Sequence, residues 1–246
     1  MVVASIPTPI TIGTSPALAI SAQGLCKSMD DRPVLCDITV KVQAGAFVAL
    51  LGANGAGKST LLKLLATLTW ADAGELQLFG RPAREDPSAH RARIGLIGHQ
   101  PMLYRDLSAR ENLELFGKLY GLTNVAQRAA ELLDTVGLCD RADDPVKAFS
   151  RGMMQRVAIA RALMHDPELI LADEPFSGLD NPSSQTMERM LGMLHRDGRT
   201  IVLVNHDIEQ SLRLAQRVVV LHQGRVVMDQ SSDALTAPAV LAEVCR

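Results

Sequence analysis

The 246-residue sequence contains no uninterrupted apolar run of the ~18 residues that a membrane-crossing helix needs. Any work at a membrane would therefore require another chain as anchor. Its four cysteines, Cys26, Cys36, Cys139 and Cys245, form no C-x-x-C pair. That argues against a disulfide framework or a metal knuckle and for reduced thiols in a cytosolic protein. Charge of one sign is also missing: 25 Lys and Arg against 27 Asp and Glu leave a net charge of −2. Such a balance leaves no electrostatic footprint for nucleic acid or an anionic membrane surface. Residues 1–16 lack a basic start, and Pro7, Pro9 and Gly13 break their apolar stretch. A disordered N-terminal tail is expected there rather than a signal peptide. Repeats and low-complexity segments are absent as well. What remains, 47% apolar and 21% charged residues, is enough to bury a large core, as one α/β domain or a core with an inserted subdomain.

Against this background one stretch stands out. Gly52, Ala53, Asn54, Gly55, Ala56, Gly57, Lys58, Ser59 and Thr60 spell GANGAGKST, which fits G-x-x-x-x-G-K-[ST]. An apolar run, 46–51, precedes it, and an apolar-periodic run begins at Leu61. A strand, a glycine-rich turn and a helix in that order form a phosphate cradle. The glycines let backbone N–H groups turn inward, and the helix adds the unpaired amides and positive dipole end of its first turn. Lys58 can reach terminal phosphates as a point charge, and the Ser59 hydroxyl can hold Mg²⁺.

Along the rest of the chain, 17–25 and 38–43 alternate as half-buried strands do, with turn residues Asp30, Asp31, Arg32 and Pro33 between them. Residues 46–51 read as a strand buried on both faces, and the helix after the cradle runs to about Thr69. A short strand is expected at 75–79, a polar excursion at 81–88 and an apolar strand at 94–97. From Ser108, where Ser-Ala-Arg-Glu makes a capping box, to Lys147 the pattern is helical, with a second helix over 124–136 stopped by Gly137. Further helices are predicted at 151–165 and 182–196, strands at 168–174 and 200–204, a hairpin around Gln223-Gly224, and a short closing helix. The expected fold is an α/β P-loop core, a mostly parallel sheet with an antiparallel edge, carrying an inserted all-helical subdomain at about 101–165. The domain would span 17–230, with 231–246 as a C-terminal helix or tail.

In a parallel sheet ligands lie beyond the carboxyl ends of the strands, and four polar clusters fall at such ends or loops: the cradle, Gln100, Asp173-Glu174 and His206. Asp173 closes an apolar strand and is placed to bind the magnesium shell opposite Ser59. Glu174 can polarise an attacking water as general base, and His206 can contact a terminal phosphate. Gln100 joins the metal-binding candidates and could report metal occupancy to the helical insertion. Without an N-K-x-D guanine motif, a GTPase reading fails.

Over roughly 17–228 these residues resemble the ATP-binding cassette ATPases. Ser150, Arg151, Gly152, Met153, Met154 and Gln155 look like that family's signature loop and helix start; Ser177, Gly178, Leu179 and Asp180 match its D-loop, Gln100 its Q-loop and His206 its switch histidine. The resemblance implies ATP and Mg²⁺ as cofactors and a head-to-tail dimer. Each nucleotide would lie between one copy's cradle and Ser150, Arg151, Gly152 and Asp180 of the other. It also implies integral membrane permease partners and a peripheral place on the cytoplasmic face of the inner or plasma membrane.

Three positions depart from the family pattern, one of them Met153, where glutamine is usual. Arg151 replaces a glycine and could either add a cation near phosphate or face solvent. Met29 stands where an adenine-stacking aromatic is usual, and its thioether would hold the base less specifically, leaving ATP-over-GTP selectivity open. Met102, Leu103 and Tyr104 would line a groove for the permease. The runs 94–100, 103–113 and 149–153 look like the ATPase subunit of the cytochrome c maturation haem exporter, with ATPases of drug and polysaccharide exporters as the neighbouring group. Non-transport cassette proteins carry long heptad arms or two cassettes, and neither pattern occurs here.

Overall fold

The computed structural model describes residues 17–245, so the tail expected at 1–16 lies outside the described residues. Two sheets organise the chain. The first is antiparallel, in the order β2-β1-β4-β5. Its hairpin joins β1 (Leu18–Met29) to β2 (Arg32–Gln43). The turn residues Asp30 and Asp31 take φ of 47° and 60°, the left-handed pair that matches the twist of a two-residue hairpin. Both strands outrun the sequence expectation. Register shifts between Ala22 and Leu25, Leu25 and Lys27, and Lys27 and Ser28 break the alternation by which strands are read, while pairing continues. β4 (Ala73–Leu78) pairs with β1, and the two-residue β5 (Arg81–Pro82) forms the edge.

The second sheet has the order β10-β9-β3-β8-β7-β6. β3 (Phe47–Leu51), β6 (Ile94–Ile97), β7 (Leu169–Asp173), β8 (Thr200–Val204) and β9 (Arg217–His222) run parallel; β10 (Arg225–Ser231) returns antiparallel to β9. Every residue of β3 and β8 is buried, as a strand covered on both faces requires. Val48 and Leu50 face the core between the two sheets, where α1 (Lys58–Leu65) places Leu61, Leu62, Leu64 and Leu65 against Ile20, Leu25 and Ile38. Phe47, Ala49 and Leu51 face the opposite core, shared with the remaining helices. The mostly parallel sheet with an antiparallel edge is the one expected.

The polar stretch 81–88 is ordered where an excursion was expected. It supplies β5 and leads into α2 (Pro87–Arg91), capped by Asp86, whose carboxylate accepts from the Ala89 amide at 3.0 Å. The helix α1 stops short of Thr69 because Thr67 turns left-handed at φ 54°.

α3 (Ala109–Leu119) opens with the expected capping box, Ser108 and Glu111 bonding each other's backbone amides. α4 (Val125–Thr135) ends before Gly137 at φ 64°. Both pack against α5 (Arg151–Leu163), which also lies on β6. That last contact depends on Gly95: a Cβ there would stand 2.7 Å from the Ala162 carbonyl oxygen and 2.8 Å from Pro167. The chain continues through α6 (Asn181–Arg196), α7 (Ile208–Leu214) and α8 (Ala237–Val244).

Gly95→Ala therefore overpacks the α5–β6 junction by about 2 kcal/mol. The melting temperature should fall by about 4–8 °C for a chain of this length. Calorimetry of the variant checks it, and an unchanged melting temperature would show that α5 is not held by this close approach.

Candidate functional site

Strand register brings the site together. Leu50 pairs with Val204, Val204 with Asp173, and Ala172 with Ile97. The loops leaving β3, β8, β7 and β6 thus start side by side on one edge, the carboxyl edge where parallel sheets bind ligands.

The first loop needs its glycines for two different reasons. Gly52 takes φ 147°, and a Cβ there would lie 2.2 Å from the Leu221 carbonyl oxygen. Gly57, at φ 101°, would drive a Cβ to 2.6 Å from Leu35 Cδ2 and 2.9 Å from the Val34 carbonyl oxygen. Only a residue without a side chain fits either place. No side chain caps the start of α1 and no acidic residue lies in its first turn, so its amides stay free for an anion. Lys58, the first residue of α1, is buried with its ammonium donating to the carbonyls of Gly52 at 2.7 Å and Ala53 at 2.9 Å. Burial pushes its pKa down, against the opposing pull of Glu174 and Asp173.

Ser59 Oγ donates to Asp173 Oδ1 at 3.3 Å. Burial, the largest influence, raises the Asp173 pKa above the ordinary carboxylate value; the Ser59 bond works the other way. Next along, Glu174 adopts φ 50°, a conformation that costs of order 1 kcal/mol in a non-glycine residue. Its amide donates to the Val204 carbonyl at 2.9 Å, and its Oε1 lies 2.6 Å from His206 Nε2. A carboxylate oxygen accepts, so the imidazole donates from Nε2.

His206 is held by Asn205, a residue whose part sequence reading missed. Asn205 is buried; its Oδ1 accepts from the His206 amide at 2.9 Å while its Nδ2 donates to Gln210 Oε1 at 2.9 Å. Gln210 belongs to α7, also missed, which Asp207 caps by accepting from the Gln210 amide. An Asn-His-Asp run at the end of an apolar strand was the available signal.

The structure thus gathers Gly52, Lys58, Ser59, Asp173, Glu174 and His206. Ala53, Asn54 and Gly55 form the exposed crest of the loop; Ala56 and Gly57 are buried, and Thr60 is half-buried within α1. Gln100 is exposed on the same edge beyond β6. Met29 ends β1, 41% exposed, in the hairpin whose Val34 and Leu35 crowd Gly57.

Ser150 caps α5, its Oγ accepting from the Met153 amide at 3.2 Å, and is exposed. Gly152 is buried against α6, and Asp180 caps α6 by accepting from the Ser183 amide at 3.1 Å. Among the described residues no hydrogen bond joins Ser150, Arg151, Gly152 or Asp180 to the loop at 52–59. Arg151 is exposed to solvent, as one of its two readings expected, with its guanidinium lying over Gly178 of its own chain.

Of the three residues expected to line a groove only Met102 does so; Leu103 packs inward on the helical core, and Tyr104 is not in the lining. Leu68, Met102, Phe116 and Tyr120 line a cavity of about 170 Å³, together with Arg91 and Arg161. Tyr104 stands 57% exposed at its side.

The raised pKa of Asp173 makes stability depend on pH. Folding favours the protonated acid, so its stabilising contribution is complete below the ordinary carboxylate pKa and is lost as pH rises through the elevated one. Asp173→Asn should raise the melting temperature of the ligand-free chain at neutral pH, and the gain should vanish as pH is lowered through the carboxylate range. Paired melting curves across pH test this; a variant less stable than the parent at neutral pH would contradict it.

The pattern that defines the ABC transporter family matches residues 35–177, more than half of the chain. The chain is 38% identical over 202 residues to the ABC transporter ATP-binding protein NatA of Bacillus subtilis, spanning 81% of this chain and 82% of that one. It is 36% identical over 218 residues to Nod factor export ATP-binding protein I of Ralstonia nicotianae, 88% of this chain and 67% of that one. Daunorubicin resistance ATP-binding protein DrrA3 of Streptomyces coeruleorubidus is 36% identical over 221 residues, 89% and 70% of the two chains. A solved dimeric ATP-binding cassette in a post-hydrolysis state, bound to ADP and Pi, matches with a TM-score of 0.79 and 30% identity over 88% of this chain and 100% of that one. With the cradle, the aligned strand ends and these likenesses together, the chain belongs to the ABC transporter family as an ATP-binding, ATP-hydrolysing subunit.

Proposed function

We propose that this subunit powers a drug or polysaccharide exporter, using Glu174 to activate water against ATP held in the 52–60 cradle. The observation that carries the hydrolytic part is the 2.6 Å contact between Glu174 Oε1 and His206 Nε2 at the mouth of the cradle. A donor on Nε2 fixes one carboxylate oxygen and leaves the other to take a proton from water. His206 would then turn to the terminal phosphate. Lys58 exchanges its two carbonyl partners for phosphate oxygens, which receive the free amides of α1 as well.

Ser59 and Asp173 fit magnesium. A hydroxyl and a carboxylate 3.3 Å apart are two hard oxygen donors, and this ion characteristically takes one or two protein oxygens beside phosphate and water. When bound it neutralises phosphate charge. Gln100 completes that set, and Met29 packs on the adenine.

Two copies arranged head to tail would close each site. Ser150 and the N-terminus of α5, exposed and unattached to their own cradle, present a hydroxyl and free amides to the partner's terminal phosphate, with Asp180 beside them. The dimeric state of the solved cassette supports pairing of two copies.

Among the described residues no helix is long and apolar enough to cross a membrane. A permease is the fitting occupant for the groove of Leu68, Met102, Phe116 and Tyr120, exposed apolar surface of the kind that marks an interface. That contact would hold the subunit at the cytoplasmic face of the membrane. Arg91 and Arg161 line the groove without an accompanying carboxylate, which favours a docking segment that brings an acidic residue.

The haem-exporter likeness rests on three short runs. Relatives named for Nod factor export and daunorubicin resistance align over 88% and 89% of the chain, so support moves to the neighbouring exporter group.

Glu174→Gln should keep ATP affinity within about twofold and cut turnover by at least about a hundredfold, the usual worth of a general base. Titration calorimetry and phosphate release measure the two. Turnover near that of the parent would remove Glu174 from the base role.

A further inference from the structure

Where the family pattern has glycine, Arg151 follows the Ser150 cap, and the structure gives that guanidinium a place. A Cβ on Gly178 would lie 2.7 Å from Arg151 Cζ and 2.8 Å from both Nε and Nη1. The exposed guanidinium therefore lies over the glycine at close range, as the far end of a flexible side chain that an added Cβ would displace. Gly178 is itself left-handed, at φ 69°. One residue on, the two helices meet as closely: a Cβ on Gly152 would fall 2.4 Å from Ser183 Oγ in the first turn of α6.

The loop so covered runs from the catalytic edge to α6. The Ser177 amide donates to the Glu174 carbonyl at 3.1 Å, and Asp180 caps α6 at Ser183. Among the described residues Arg151 has no ion pair or hydrogen bond, so packing on Gly178 is what holds it. Thr186, Arg189 and their neighbours further along α6 make their own contacts. One turn of α5 therefore presents Ser150 outward and rests Arg151 on the loop that begins at Glu174.

We propose that Arg151 is a positioning residue, bracing the loop at 177–180 against the first turn of α5. Placement of Ser150 is thereby tied to placement of Glu174 within one chain. The inference rests on the reading of Glu174 as base only for its effect on turnover. A flat guanidinium can lie on a peptide face; a lysine ammonium on a flexible stem cannot do so equally well.

The test is a double-mutant cycle of Arg151→Ala and Gly178→Ala, with Arg151→Lys alongside, scored by ATP turnover of the purified chain and by nucleotide affinity. Arg151→Ala should lower kcat by about three- to tenfold, with KM and nucleotide affinity unchanged within about twofold. Arg151→Lys should recover part of the loss. Alanine at 178 carries its backbone penalty in both backgrounds, so that cancels; the clash with Arg151 does not, and the double variant should be more active than the product of the single effects predicts.

A raised KM with unchanged kcat would make Arg151 a phosphate contact and overturn the proposal. So would strict additivity, or full activity of Arg151→Ala. Glu174→Gln is run in parallel: parent-like turnover there sinks the base assignment, whereas an additive cycle beside an inactive Glu174→Gln sinks the brace alone.

Discussion

Hydrogen-bonded register across parallel strands is the constraint from which the site follows. Because Leu50, Val204 and Asp173 are paired neighbours, the residues just beyond them have to emerge together, whatever their separation in sequence. A slip of one residue in β7 would turn Asp173 to the opposite face and bury or expose the wrong carboxylate. The continuous burial of β3 and β8 is what makes such a slip costly. The core is thus less a support for the site than the device that aligns it.

The aligned edge is not a relaxed one. Glu174 is left-handed, Asp173 is a half-buried carboxylate with a raised pKa, and Lys58 is a buried ammonium satisfied only by its own loop's carbonyls. Each of these costs folding free energy. The uncapped start of α1 belongs with them. Charge and donors are held ready at an edge whose stability comes from the apolar strands behind it.

Sequence reading reached the residues whose chemistry is local. A glycine-rich turn between strand and helix, a carboxylate pair after an apolar run, a histidine at a strand end and the caps Ser108 and Ser150 announce themselves within a few residues. It stopped where information is tertiary. Bulges hid the full length of β1 and β2, since alternation fails at each register shift. The seven-residue α7 is too short to show a period, so Gln210 and the support it gives Asn205 went unseen. Leu103 reads like its neighbours Met102 and Tyr104 but turns inward. Arg151 could not be placed, because its position depends on where α6 begins relative to α5. Short motif runs likewise pointed toward haem export, while likeness over most of the chain supports drug-type and Nod-factor-type exporters.

The account stands or falls on a nucleotide shared between two copies. Lys58→Ala should disable a copy's own cradle, and Ser150→Arg only what it offers its partner. Each variant alone should be inactive in ATP turnover. An equimolar mixture forms, in half its dimers, one site with both parts intact, so activity should return to about a quarter of the parent's in a symmetric two-site dimer. A mixture no more active than its components, or Ser150→Arg turning over alone at the parent's rate, would contradict it.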